Sequence, residues 1–519
     1  MRILPALALS LTAAFGCSCV YARLDGSTEP SRAFDQPELG PGWQQFEALA
    51  KDHPGDTALL PLGHGLDAFA ARAALIDRAE QAIDAQYYIF HDDLTGRYLL
   101  HRMLCAADRG VRVRLLLDDL GTSGIDDVLA AANAHPELEV RLFNPRARGS
   151  WPWLAKTLDI IWRPRRINRR MHNKLLSTDG LAVIIGGRNI GNEYFGAAES
   201  VNFGDLDLLA IGPVAKEAGE SFDLYWNSSL TERLDGWKPF DRDEDDLAEM
   251  RKELESDAER ARESEYAARL TKVGFGERAE RGELPLIWAS ARAIADLPWK
   301  VIARGDEVEA TMLVHRLGDA LPTADHDFLI VSPYFIPRAS GSERLLEYVA
   351  SGVRVRVLTN SLAATDVPIV HAAYKRYRKE LLEGGVEIYE LMPAAEVAME
   401  SHRKGMFGSS SASLHAKTYI VDERHIFVGS LNLDPRSIEL NTELGLVIDS
   451  PALSREIIDG TELAMQPSSS WRLSLTDGKL EWHGVRDGEV LVLGTEPDSS
   501  WWTRSKLWWM GILPIEGQL

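Results

Sequence analysis

Two small sets of residues, alike in four of five types, recur at one constant offset of 243 in this chain of 519 residues. The first set is His172 and Lys174, then Asp179, then Gly187 and Asn189. The second is His415 and Lys417, then Asp422, then Ser430 and Asn432. An imidazole exists in both protonation states near neutral pH, so it can attack an electrophile or pass a proton. An ammonium group neutralises developing negative charge, and an amide can hold an oxygen. Those capacities suit phosphodiester chemistry: one histidine bonds phosphorus while the other protonates the departing oxygen. The six motif residues His172, Lys174, Asp179, His415, Lys417 and Asp422 are therefore the candidate catalytic set. Asn189, Asn432, Ser430 and Gly187 are candidate substrate-binding positions. The carboxylates Glu443 and Asp205 are expected to orient the two rings. The residue types call for no metal and no cofactor. Either set alone could be a surface ion pair beside a turn. Two sets at one offset, inside a wider repeat, do not fit that reading.

His172 and Lys174 are two apart, so on a strand they project from one face. Asp179 and Gly180 then make a turn, and the apolar run Leu181 to Ile185 returns beside the first strand. Upstream, Gln86 to Phe90 and Val111 to Asp118 read as strands around a helix from Thr95 to Ala107. The same order returns with a strand Asp327 to Tyr334, a helix Gly341 to Ala350 and a strand Val353 to Thr359. Arg109 to Arg114 and Ser351 to Arg356 share five of six residues. The expected fold is α/β: two similar βα-layered sandwich domains packed as a pseudo-dimer. The expected boundaries are a signal or lipoprotein segment over 1–22, an irregular lead-in over 23–62 and a first domain over 63–240. An acidic helical linker over 241–282, a second domain over 283–465 and a Trp-rich, membrane-facing tail over 466–519 follow. Within the linker, Leu247, Met250, Leu254 and Ala258 keep a thin helical stripe.

The doubled motif resembles that of the phospholipase D superfamily, and it spans both repeats. Within that superfamily the stretches Asp84 to Gly96, Asn168 to Lys174, Gly186 to Gly196 and Asn432 to Glu443 are similar to bacterial cardiolipin synthases of the C type. The resemblance implies two phospholipase D-like domains sharing one active site and a phosphatidyl-histidine intermediate. It also implies transfer of the phosphatidyl group from a donor such as phosphatidylethanolamine to phosphatidylglycerol. It makes Asp179 and Asp422 structural supports. Gly187 departs from the serine usual at that place, which puts a hydroxyl contact in doubt in the first copy alone.

Composition narrows the partners. Apolar residues make up 45% of the chain and charged ones 26%, so an ample core is expected. The net charge of −21 disfavours a broad nucleic-acid surface, and with it a nuclease. Three cysteines cannot build a disulfide framework. After Arg2, the run Ile3 to Ala22 is apolar or small, as in a secretory signal, and Cys17 stands where a bacterial lipoprotein would carry its lipid; a cleaved signal and an uncleaved anchor are the other readings. The stretch Arg146 to Arg170 is strongly basic and interleaved with aromatics. There Trp162, Arg163, Arg165 and Arg166 are candidates for docking anionic phospholipid. Trp501, Trp502, Trp508 and Trp509 cluster near the other end and suit the headgroup layer of a bilayer. The expected partners are anionic phospholipids and a membrane surface, not nucleic acid, and the expected location is the bacterial cell envelope. Water in place of a lipid alcohol would make the same residues a hydrolase.

Overall fold

The apolar runs of both repeats become strands covered by helices, in a computed structural model that describes residues 30–33, 40–122, 124–145, 168–199, 201–235, 242–305, 307–393 and 412–512. The first half contributes β1 (Thr57–Leu62), β2 (Ala82–Ile89), β3 (Arg112–Gly121), β4 (Leu138–Phe143), β5 (Leu175–Thr178), β6 (Ala182–Gly186), β7 (Asn202–Gly204), β8 (Asp207–Ile211) and β9 (Thr231–Arg233). The second contributes β10 (Ile287–Ala295), β11 (Asp327–Val331), β12 (Arg354–Asn360), β13 (Glu387–Leu391), β14 (Ala412–Leu414), β15 (Thr418–Val421), β16 (His425–Gly429) and β17 (Leu444–Asp449). It continues through β18 (Ser470–Thr476), β19 (Lys479–Arg486) and β20 (Glu489–Leu493).

The two halves repeat one topology. In the first, β2, β3 and β4 run parallel, and β5, β6, β8 and β1 follow antiparallel on one side, with β9 on the other edge. In the second, β11, β12 and β13 are the parallel trio. There β15, β16, β17 and β10 follow antiparallel, with β18 on the opposite edge. β1 pairs antiparallel with β10, Thr57 opposite Ala289, so the two sheets continue into each other.

Helices Gly65–Arg78 and Leu94–Asp108 cover one face of the first sheet and Arg338–Ala350 and Pro368–Glu383 one face of the second. The opposite faces share a core with Pro213–Trp226 and Pro451–Ala464. There Leu59, Val183 and Phe222 pack in one cluster with Ile420, Leu446 and Ile457. Burying apolar faces from both halves together favours their association over separate folding.

Two expectations about boundaries change. Residues 57–62 are not an irregular lead-in: Ala58, Leu59 and Leu62 are buried in β1. A strand buried on both faces lacks the alternation that marks a half-exposed one. Past residue 465, β18 to β20 extend the second sheet, and Trp471 and Trp482 are buried within its core. The acidic segment does form a helix, Glu244–Arg262, capped by Asp243, with Leu247, Met250, Leu254 and Ala258 as its buried stripe. Among the described residues no helix is long and apolar enough to cross a membrane. Residues 1–22 with Cys17, and Trp162, Arg163, Arg165 and Arg166, lie outside the described residues.

Candidate active site

Both motif histidines sit just before a strand rather than on it, since β5 begins at Leu175 and β15 at Thr418. The reason is that their backbones bond across to the other half. His172 N donates to Thr442 O at 2.8 Å and Thr442 N donates to Arg170 O at 2.8 Å. On the other side β14 pairs parallel with β7, and His415 N donates to Gly204 O at 2.7 Å. Each histidine is thus delivered beside the carboxylate of the opposite half.

His172 Nδ1 lies 2.8 Å from Glu443 Oε2, and His415 Nδ1 lies 2.6 Å from Asp205 Oδ2. Both carboxylates are 0% exposed and the rings 12% and 8%. A carboxylate this close fixes the ring proton on Nδ1 and leaves Nε2 for the reaction. Tyr88 meets His172 edge-on at 5.2 Å, while Tyr194 and Phe203 flank His415 at 5.3 and 5.1 Å. Burial, with the charges of Lys174, Lys417 and His415 nearby, holds His172 well below the usual histidine range. Burial and Lys417 lower His415 as well. The two rings are therefore close enough to act on each other electrostatically.

Lys174 Nζ donates to His172 O at 2.7 Å, and Lys417 Nζ donates to His415 O and lies 2.9 Å from its Nδ1. Burial depresses both ammonium groups, Lys417 to about 8. A phosphate oxygen entering between them would restore the charge partner that burial withholds.

The carboxylates differ. Burial pushes Glu443 up to about 7, moderated by Lys174. Asp205 is held below the usual range: against the upward push of burial stand His415, Lys417 and Arg188. Arg188 is fully buried and donates to the carbonyls of Asp205, Leu62 and Tyr194. Leu431 holds the matching place in the second half.

Gly187 has a steric reason. A Cβ there would collide with the Asp205 carboxylate. Asp205 Oδ1 accepts the next backbone N–H, from Leu206, at 2.8 Å. In the second half Ser430 Oγ accepts the equivalent N–H, from Leu444, at 3.0 Å. The missing hydroxyl of the first copy is thus replaced by the carboxylate itself.

The motif aspartates are not at the site. Asp179 lies at the far end of β5, at φ 54°, and its carboxylate accepts the N–H groups of Glu80, Gln81 and Ala82 and the Trp43 indole. Asp422 does the same for Asp325, His326 and Asp327. Asn189 is occupied internally, accepting from Ile89 N and donating to Tyr194 OH at 2.9 Å. Asn432 donates to Ser437 Oγ at 3.3 Å, and its Oδ1 has no partner among the described residues. Asp93 caps helix Leu94–Asp108, as a residue in that place should. Asp118 accepts Leu120 N at 2.9 Å in a turn, and its other oxygen accepts Met171 N at 2.9 Å, one residue before His172. His91, Asp93 and Glu193 bring ligand-type atoms within 4.8 Å of one another. These are not open ligands: His91 pairs with Glu193 at 3.3 Å, and Asp93 accepts Gly96 N and Asn192 N.

A family model described as cardiolipin synthase, PLD-like domain, matches residues 73–226 and 317–462, one match to each half. The chain is 42% identical over 469 residues to cardiolipin synthase C of Escherichia coli, covering 90% of this chain and 97% of that one. The chain belongs to the cardiolipin synthase family of PLD-like proteins. Within that family, cardiolipin synthase A of Pseudomonas putida is 27% identical over 391 residues, 74% of this chain and 63% of that one. The phosphatidylserine synthase structure from Haemophilus influenzae superposes with a TM-score of 0.51 at 15% identity, covering 83% of this chain and 92% of that one. That likeness shows a shared fold. Members of the cardiolipin synthase family match this chain across both repeats, so the crosswise site lies inside the matched region.

Tyr88, Tyr194 and Phe203 flank the histidines, and Arg188 and Asp118 hold the backbone of Asp205 and Met171; sequence spacing singles out none of them for the site. Their signal lies in the repeat offset, which exposes Arg188 against Leu431.

Proposed function

We propose that this chain is a phosphatidyltransferase that moves a phosphatidyl group onto phosphatidylglycerol, making cardiolipin. The observation that carries this reading is the crosswise pairing of His172 with Glu443 and His415 with Asp205 between the two halves. Nε2 of one ring bonds phosphorus as the bond to the donor's headgroup oxygen breaks, and the other ring gives that oxygen its proton. The acceptor hydroxyl then gives its proton to the same second ring. Its oxygen bonds phosphorus, and the phosphorus–nitrogen bond breaks. Lys174 and Lys417 neutralise the nonbridging oxygens in both steps. Asp179 and Asp422 hold the hairpin turns that set the motif strands. Family likeness to Escherichia coli cardiolipin synthase C supports the acceptor, and phosphatidylethanolamine is the donor we expect.

The chain works at a membrane surface of the cell envelope. Supporting this, helix Trp501–Ile512 exposes Trp501, Trp502 and Trp509 by 62%, 70% and 65%, while Leu507 roots it against Leu362 and Ala372. Exposed indoles beside Lys506 suit the headgroup layer. The apolar run Ile3 to Ala22 supports export or anchoring, with Cys17 as the lipid-bearing residue.

The test is lipid mass spectrometry of bacteria lacking their own cardiolipin synthases, with and without this chain. Cardiolipin should appear, and should vanish with either His172→Ala or His415→Ala. Phosphatidic acid in its place would make the chain a hydrolase.

A further inference from the structure

Beside the two histidines the halves differ in a way the mechanism above leaves unused. Arg170 stands two residues before His172, where Ser413 stands before His415. The bridge between Met171 and Thr442 puts Arg170 and His172 on one side of the chain. Arg170 is 0% exposed, yet its Nε and Nη2 have no hydrogen-bond partner among the described residues. Its Nη1 lies 3.7 Å from Asp118 and 3.5 Å from Asn144 O, both long for a charged hydrogen bond. A buried guanidinium with two unmet donors is unfavourable unless an acceptor arrives.

The second half shows the neutral alternative. Asn360 occupies the place of Asp118, and it both accepts Leu414 N and donates to Leu414 O at 2.9 Å. Holding the residue before the histidine therefore needs neither a carboxylate nor an arginine. Arg436, from the second half, adds another cation on the His172 side, donating to Asn168 Oδ1 at 2.9 Å and to Asn168 O at 3.2 Å. Its charge acts on His172, and with Arg170 it acts on the Tyr88 phenol, whose ring touches His172.

We propose that Arg170, Arg436 and the Tyr88 hydroxyl form a second phosphate subsite, which takes the phosphodiester of an anionic phospholipid acceptor while its hydroxyl reaches the histidines. This rests on the transferase reading: a product with two phosphates on one glycerol needs a cationic place for the phosphate that does not react. The Nε and Nη2 of Arg170 and a phenol offer donors for it, and Arg436 adds positive charge.

The test uses the full chain with Arg170→Gln and, separately, the less buried Arg436→Gln, each checked for folding by circular dichroism. Transfer to phosphatidylglycerol is compared with transfer to glycerol, which lacks a phosphate. Each variant should raise KM for phosphatidylglycerol by about 10- to 100-fold, the factor one charged hydrogen bond supports, with a several-fold smaller effect on glycerol. Equal losses on both acceptors, or an unchanged KM, would overturn the subsite. If Arg170→Gln does not fold, Arg436→Gln decides alone. Binding of dihexanoyl phosphatidylglycerol to an inactive His415→Ala chain, by calorimetry, separates this proposal from the reading beneath it. Binding that beats dihexanoyl phosphatidylcholine and weakens with Arg436→Gln upholds the subsite even if no cardiolipin forms. Binding indifferent to the arginine sinks it even if cardiolipin does.

Discussion

The first half sets Asp205, with Gly187 and Arg188 against it, beside the histidine of its neighbour, where the second half sets Glu443, with Ser430 and Leu431 at the matching motif positions. Strand order, turn aspartates and the backbone bonds that deliver each ring match between them. The charge states do not. Against burial, His415, Lys417 and Arg188 hold Asp205 below the usual range and it stays ionised, whereas at Glu443 burial outweighs Lys174 and Lys300 and it titrates near neutrality, at about 7. A duplicated scaffold has thus kept its geometry and separated its electrostatics, so that two identical ring types sit in unlike environments.

The sharpest way to break that comparison is at the rings themselves. His172→Ala and His415→Ala should each lower turnover by about a thousandfold or more, since attack and protonation need separate imidazoles; a labelled-lipid transfer assay checks it. Retained activity in either would mean the halves do not share a reaction. Next come the carboxylates. Asp205→Asn should cost about 100-fold or more in kcat, because an amide can impose the wrong ring tautomer. Glu443→Gln should cost less at pH 6 than at pH 8 and remove an ionisation near 7 from the pH–rate profile, while Asp205→Asn leaves that ionisation in place. The same change has a stability signature. A carboxyl raised to about 7 in the folded state favours folding below its unfolded value near ~4.3, and that contribution is lost as pH rises through 7. Glu443→Gln should therefore raise Tm relative to the parent at pH 8 and change it little at pH 4.

The glycine and serine sharpen the contrast at smaller scale. Gly187→Ser should cost about 10-fold in turnover by displacing Asp205, and Ser430→Gly should cost less, leaving only the Leu444 N–H unmet. Smallest on turnover, in our expectation, are the turn aspartates: Asp179→Asn and Asp422→Asn should act mainly on Tm. Asp179→Asn should have the larger shift because Asp179 also holds Trp43.

What was legible in sequence was local or repeated. The motif residues, the first two parallel strands with their intervening helix in each half and the stripe of the acidic helix follow from spacing over a few residues. Which carboxylate serves which ring did not. That depends on β7 lying beside β14 and on Thr442 bridging Met171, contacts between segments more than 200 residues apart. His172 and Lys174 were read as strand residues because period-two spacing cannot tell a strand from an extended lead-in bonded elsewhere. β1 was missed because a strand buried on both faces carries no alternation. In sequence Arg170 is only one more charge of a basic stretch, since its unmet donors emerge only when its surroundings are placed.

The pairing of β1 with β10 has a consequence for the covalent connection between the halves. Their mutual placement is written in hydrogen-bond register and a common apolar core, so the acidic crossing is dispensable as a tether. A chain nicked just after helix Glu244–Arg262 should elute as one particle and keep its chemistry, the cut ends notwithstanding.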